Sequence, residues 1–216
     1  MKKYFLLFSV LLFQLAFSQS DFLKDGNLLL SQKKYTDAEV IFRKGLAQNP
    51  KELSLKNQLA FSLIYQKKYA EAEKLINEVL QVEPKNKAAL WYGGMNNLNN
   101  KGGSARKAVN YFEKSKSLLE KDSPKKSITD YFIGKSYKNL LFTEGLTQSE
   151  IDKMVTSFQS FVTTQPKAED KAEVVDFLAF VKRSKPKKSA QKWIIVTEDK
   201  GAEKQVNQFF NDAKNK

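Results

Sequence analysis

YTDAEVIFRKGLAQNP at residues 35–50 and YAEAEKLINEVLQVEP at residues 69–84 are one segment written twice. At a fixed offset of 34 residues, Tyr35 aligns with Tyr69, Ala38 with Ala72, Phe42 with Ile76, Leu46 with Leu80 and Pro50 with Pro84. Upstream, Gly26 aligns with Ala60 at the same offset. Self-similarity at such a period marks stacked units, each too small to bury its apolar face alone. The apolar positions recur at helical spacing, so each copy is expected to be helical.

Every recurring position has a physical reason. Gly26 and Ala60 belong where a second helix crosses closely, because a larger side chain would push the pair apart. Ala38 and Ala72 serve the same contact from the other side, and the bulky Phe42 and Ile76 fill the space beside the next unit. Pro50 and Pro84 stop the helix, since proline lacks the amide donor and clashes with the preceding turn. Thr36 and Glu39 have the spacing of a capping box, and Tyr35 and Val40 that of a hydrophobic staple.

The sequence resembles the tetratricopeptide-repeat family, whose unit is two antiparallel helices, and the resemblance rests on those residues. It implies an all-α fold, a right-handed α-solenoid of about four units, the last two irregular, plus a capping helix. The first unit covers residues 19–52 and the second 53–86. In the third, 87–122, Gly94, Ala108 and Phe112 hold the matching positions, and two extra residues fall in the turn Asn99–Gly103 before Ser104, an expected N-cap. The fourth, 127–168, keeps Ile133, Gly134, Tyr137, Phe158 and Pro166. Its extra residues are assigned to a longer turn around Thr143–Leu146, before a capping box at Thr147 and Glu150, and Met154 replaces alanine with looser packing expected. Val174, Phe177, Leu178 and Val181 make a final amphipathic helix ending at Arg183, so the solenoid spans 19–183 and a basic linker and tail spans 184–216. In that tail, Trp193–Val196 is a short apolar run and 202–213 a stretch with Val206, Phe209 and Phe210 on one helical face; it either packs back on the array or docks a partner.

Members of this family bind peptide segments on the side lined by the first helix of each unit. Carried over residue by residue, that side presents Asn27, Asn57, Phe61, Tyr65, Trp91, Met95, Tyr131, Lys135 and Lys138 as candidate partner-binding residues. The expected surface is an aromatic groove edged by lysine, suited to a segment with acidic residues. Phe61 and Trp91 have a second reading, in which they pack helix to helix. The clamp by which some members hold a C-terminal carboxylate is missing, because Leu23, Ala88 and Tyr92 stand in its lysine and arginine positions.

Composition excludes much else. The 216 residues contain no His and no Cys. Disulfides, thiolate metal sites and His-based nucleophile activation are therefore out of reach, and no enzyme activity or cofactor is expected. Met1-Lys2-Lys3 followed by an apolar run to Phe17 reads as a signal peptide over 1–18, implying an exported protein, periplasmic or secreted, with no transmembrane segment in its mature chain. The charge is +13, and residues 182–216 carry ten basic against four acidic side chains, +6. Export and the scarcity of arginine argue against nucleic acid. The expected function is a non-catalytic scaffold of the cell envelope binding another protein or peptide; the alternative is electrostatic attachment of the Lys-rich tail to an anionic lipid or cell-wall polymer.

Overall fold

The computed structural model describes residues 21–120, 123–185 and 192–195. The expected signal peptide and most of the expected tail lie outside them. Among the described residues there are nine helices, and the chain divides into two compact units, one ending at Val82 and the other beginning at Glu83. The first unit holds α1 (Phe22–Ser31), α2 (Tyr35–Gln48), α3 (Leu53–Tyr65) and α4 (Tyr69–Val82). The second holds α5 (Lys87–Asn99), α6 (Ala105–Ser117), α7 (Lys125–Thr143), α8 (Gln148–Thr164) and α9 (Lys171–Ser184). Within each unit every helix packs on the next, which makes the fold an all-α array of antiparallel helix pairs.

The small residues do what their spacing implies. A β-carbon on Gly26 would stand 2.2 Å from the Phe42 ring, one on Gly94 2.5 Å from Phe112 and one on Gly134 2.7 Å from Phe158. In three helix pairs, then, an aromatic ring from the second helix packs closely against a bare stretch of the first. In the remaining pair the aligned positions hold Ala60 and Ile76, both fully buried. Burying one such ring contributes about 2–3 kcal/mol, so each pair carries its own share of the core.

The turns of the first unit repeat as closely as its helices. Gln32-Lys33-Lys34 and Gln66-Lys67-Lys68 both close with a lysine at positive φ, 58° at Lys33 and 61° at Lys67. In each, the following lysine N–H returns to a helix carbonyl, Lys34 to Leu29 and Lys68 to Leu63, both at 2.9 Å. The left-handed residue at the helix end turns the chain back within three residues.

Three local expectations are corrected. Thr36 and Glu39 form no capping box: α2 begins at Tyr35 with Lys34 as its cap, which places Thr36 inside the first turn. Its hydroxyl donates to Gln66 Oε1 at 3.4 Å, while Glu39 is drawn to Lys68 before α4 and to Arg43 one turn along its own helix. Val40 is 48% exposed and Tyr35 stacks on Tyr65 at 4.6 Å, so no staple forms. The extra residues of the fourth unit lengthen its helices to 19 and 17 residues instead of enlarging the turn, and Met154 is fully buried. The box at Thr147 and Glu150 does form, with Glu150 accepting from the Thr147 N–H at 2.8 Å, and Ser104 caps α6.

The end of the described chain returns to the second unit. Trp193 and Leu146 exchange backbone hydrogen bonds at 2.7 Å, and the Ile195 N–H donates to the Leu141 carbonyl at 3.0 Å. That carbonyl lies in the last turn of α7, where it has no intrahelical partner. Gly145 makes the approach possible: its φ is +75°, and a β-carbon there would stand 2.9 Å from the Trp193 carbonyl oxygen.

Candidate interaction groove

In the first unit, Asn27 is exposed on α1 and Asn57 is buried on α3 at 5% exposure. Phe61 and Tyr65, one turn apart on α3, have ring centroids 4.8 Å apart. With the Tyr35 ring stacked on Tyr65, they form an aromatic patch whose outer member, Tyr65, is 49% exposed.

In the second unit, Trp91 and Met95 are half-buried against the core. The indole meets Phe112 at 5.3 Å and Phe132 at 5.2 Å, both edge to face, so this ring spends much of its surface on helix packing. Tyr131, Lys135 and Lys138 fall at i, i+4 and i+7 along α7 and share one face. They line a cleft of about 750 Å³. Leu98 from the end of α5 contributes to it, and its opposite wall is the start of α9: Asp170, Glu173, Val174 and Phe177. Phe142 lies at the far end of the α7 face.

The cleft is apolar at its base and charged at its edges. Lys138 Nζ pairs with Glu173 at 2.8 Å and sits 4.9 Å over the Phe177 ring. Lys135 lies 5.6 Å over the Tyr131 ring, is exposed, and among the described residues makes no ion pair. Burial raises the Tyr131 hydroxyl well above its usual range, and the hydrogen-bonded Asp170 carboxylate and Glu173 push it the same way. It therefore stays a protonated donor at any working pH. With a neutral phenol, a lysine that makes no ion pair among the described residues, and aromatic rings, the cleft offers sorting by shape and charge.

Sequence reasoning places Tyr131, Lys135 and Lys138 together, and the structure brings all three to one cleft. It misses the α9 wall, because an amphipathic helix at the end of an array reads as a cap; the signal is there in Asp170, Glu173 and Phe177, spaced i, i+3 and i+7. It also misses Asp130, buried at 2% exposure, where Lys116 and the Ser160 hydroxyl at 2.7 Å hold the carboxylate beneath the α7–α8 contact.

Residues 29–93 match the family model described as tetratricopeptide repeat. None of the curated proteins matches the chain. Among solved structures, MamA in an RS-1 double mutant superposes at a TM-score of 0.61 with 16% identity, over 77% of this chain and 88% of that one. MamA 41-end from Desulfovibrio magneticus RS-1 gives 0.61 and 14%, over 92% and 98%. YrrB, described as a TPR protein with an unusual peptide-binding site, gives 0.58 and 15%, over 78% and 79%. At these identities the likeness shows the fold, a helical solenoid of repeated pairs.

Proposed function

We propose that the chain, whose residues 29–93 match the tetratricopeptide-repeat model, is a non-catalytic scaffold of the cell envelope that holds a partner segment in the α7–α9 cleft. The observation that carries this reading is the convergence of Tyr131, Lys135 and Lys138 with Phe177 on one cleft that has a cation to spare. A segment with an aromatic or aliphatic anchor beside a carboxylate fits it: the apolar side chain covers the ring-lined base and the carboxylate meets Lys135. The unusual peptide-binding site of YrrB is consistent with such a role on this fold. The charged start and apolar run of residues 1–18 support export, and with it a partner outside the cytoplasm.

The test is direct. Labelled peptides carrying Asp or Glu next to Phe or Leu are titrated with the protein and followed by fluorescence anisotropy, beside the same peptides with Lys for the acid. Acidic members should bind and basic ones should not, and Lys135→Glu, a surface change, should reverse that preference. Indifference to Lys135→Glu would remove the cleft from the binding site.

A further inference from the structure

We propose that the α7–α9 cleft is occupied in the free protein by the chain's own C-terminal segment, residues 202–213, which a partner segment must displace. This rests on the reading of the cleft as a segment-binding site and names its first occupant.

The anchor of the tail rests on the ends of the two helices, α7 and α9, that wall the cleft. Trp193 and Ile195 are hydrogen-bonded to Leu146 and Leu141 at the end of α7. The Trp193 ring stacks on Phe180 of α9 at 6.2 Å and 25°. The pairing also sets a direction. From Trp193 at Leu146 to Ile195 at Leu141 the chain runs backwards along α7, toward the stretch whose Phe142, Lys138, Lys135 and Tyr131 line the cleft. The α7–α8 turn is shaped around this anchor, since Gly145 has no room for a β-carbon beneath the Trp193 carbonyl.

Reach and chemistry agree with that direction. From Phe142 back to Tyr131 the cleft follows about 17 Å of helix, at 1.5 Å per residue. Residues 196–201, extended, span up to about 20 Å, enough to deliver the following segment anywhere along it. That segment, Ala202 to Ala213, carries Val206, Phe209 and Phe210 at i, i+3 and i+4, with Glu203 and Asp212 as carboxylates for Lys135 and Lys204 for the acidic α9 wall. A tether this short holds its own segment at about millimolar effective concentration, so even a weak contact is largely formed.

The probe is a labelled synthetic peptide of residues 200–214, titrated by anisotropy with three full-length proteins: the unaltered chain, Phe209→Ser/Phe210→Ser, and that double variant with Lys135→Glu added. The double variant, with its own segment released, should bind the probe at least tenfold more tightly than the unaltered chain, and Lys135→Glu should reverse most of that gain. Equal binding to the first two proteins would overturn the proposal, as would a gain that Lys135→Glu leaves intact. Sedimentation velocity closes the remaining route: a dimer of the unaltered chain that Phe209→Ser/Phe210→Ser dissolves would make the occupant a second copy's tail and overturn self-occupancy. If the probe fails on the double variant while unrelated acidic–aromatic peptides bind it, self-occupancy falls and segment binding stands; if those also fail, both fall.

Discussion

Gly26 makes room for the Phe42 ring, because a β-carbon there would overlap it at 2.2 Å. Alanine is the better helix former by about 1 kcal/mol, yet overpacking a closed contact costs about 1–3 kcal/mol, and at this distance the clash wins. Gly26→Ala is therefore expected to lower stability by about 1–2 kcal/mol in denaturant unfolding. The second repeat fills the two aligned positions differently, with Ala60 and Ile76, both fully buried. Phe42→Ile should accordingly cost less in a Gly26→Ala background than in the unaltered chain, giving a coupling of about 1 kcal/mol or more in the double-mutant cycle. Additive effects would mean that the two side chains do not share the contact. This pairing is legible in the sequence, because the small and large positions recur at the same offset. The partner of Glu39 is not. Its spacing from Thr36 suggests a local cap, whereas besides Arg43 on its own helix the groups that claim it, Gln66 and Lys68, lie 27 and 29 residues away.

Helices within each unit are tied together by buried carboxylates and arginine forks. Glu39 on α2 is 8% exposed and accepts from Arg43 at 2.8 Å, Lys68 at 2.8 Å and Gln66 at 2.7 Å. Arg43 reaches on to Glu71 of α4, and in the second unit Arg106 of α6 holds Glu144 and, at 2.6 Å, Glu150 of α8. Two of the three arginines thus join neighbouring second helices, a role that the planar fork fills better than lysine. Burial by itself would raise the Glu39 carboxyl; the hydrogen bonds from Lys68, Arg43 and Gln66 outweigh it and hold the group below its ordinary value. A carboxyl lowered in the folded state stabilises the fold above its unfolded value, about 4.3, and that contribution disappears as pH falls through the lower folded value. Glu39→Gln should cost about 1–3 kcal/mol at neutral pH and should flatten the loss of stability as pH falls below about 4.3. Thermal melts across that range check both parts. An unchanged acid slope would leave Glu150, which Arg106 and Thr147 lower against its own burial, as the main acid-sensitive link.

Across the whole chain, the repeat predicts where helices begin and end, because each boundary depends on residues within a turn or two of it. It does not predict how the fourth unit absorbs its insertion, since longer helices and a longer turn satisfy the same spacing. Nor does it place Trp193–Ile195, part of a short run with no period, whose partner Leu146 lies 47 positions away in sequence. The last question at this scale is whether the positive charge or the cleft makes the functional contact. Of the +13 total, +6 falls in residues 182–216, and adhesion driven by such a cluster of like charges is screened once the Debye length drops to a few Å. A segment seated on Phe177 and Tyr131 keeps its apolar contacts in salt and loses only the share owed to Lys135. Raising NaCl from about 0.05 to 0.5 M is therefore expected to weaken an acidic–aromatic peptide by less than about tenfold, while release from anionic vesicles is essentially complete. Parallel co-sedimentation and anisotropy measurements decide it. Peptide binding that vanishes along with vesicle binding would move the function out of the cleft and into the lysine-rich tail.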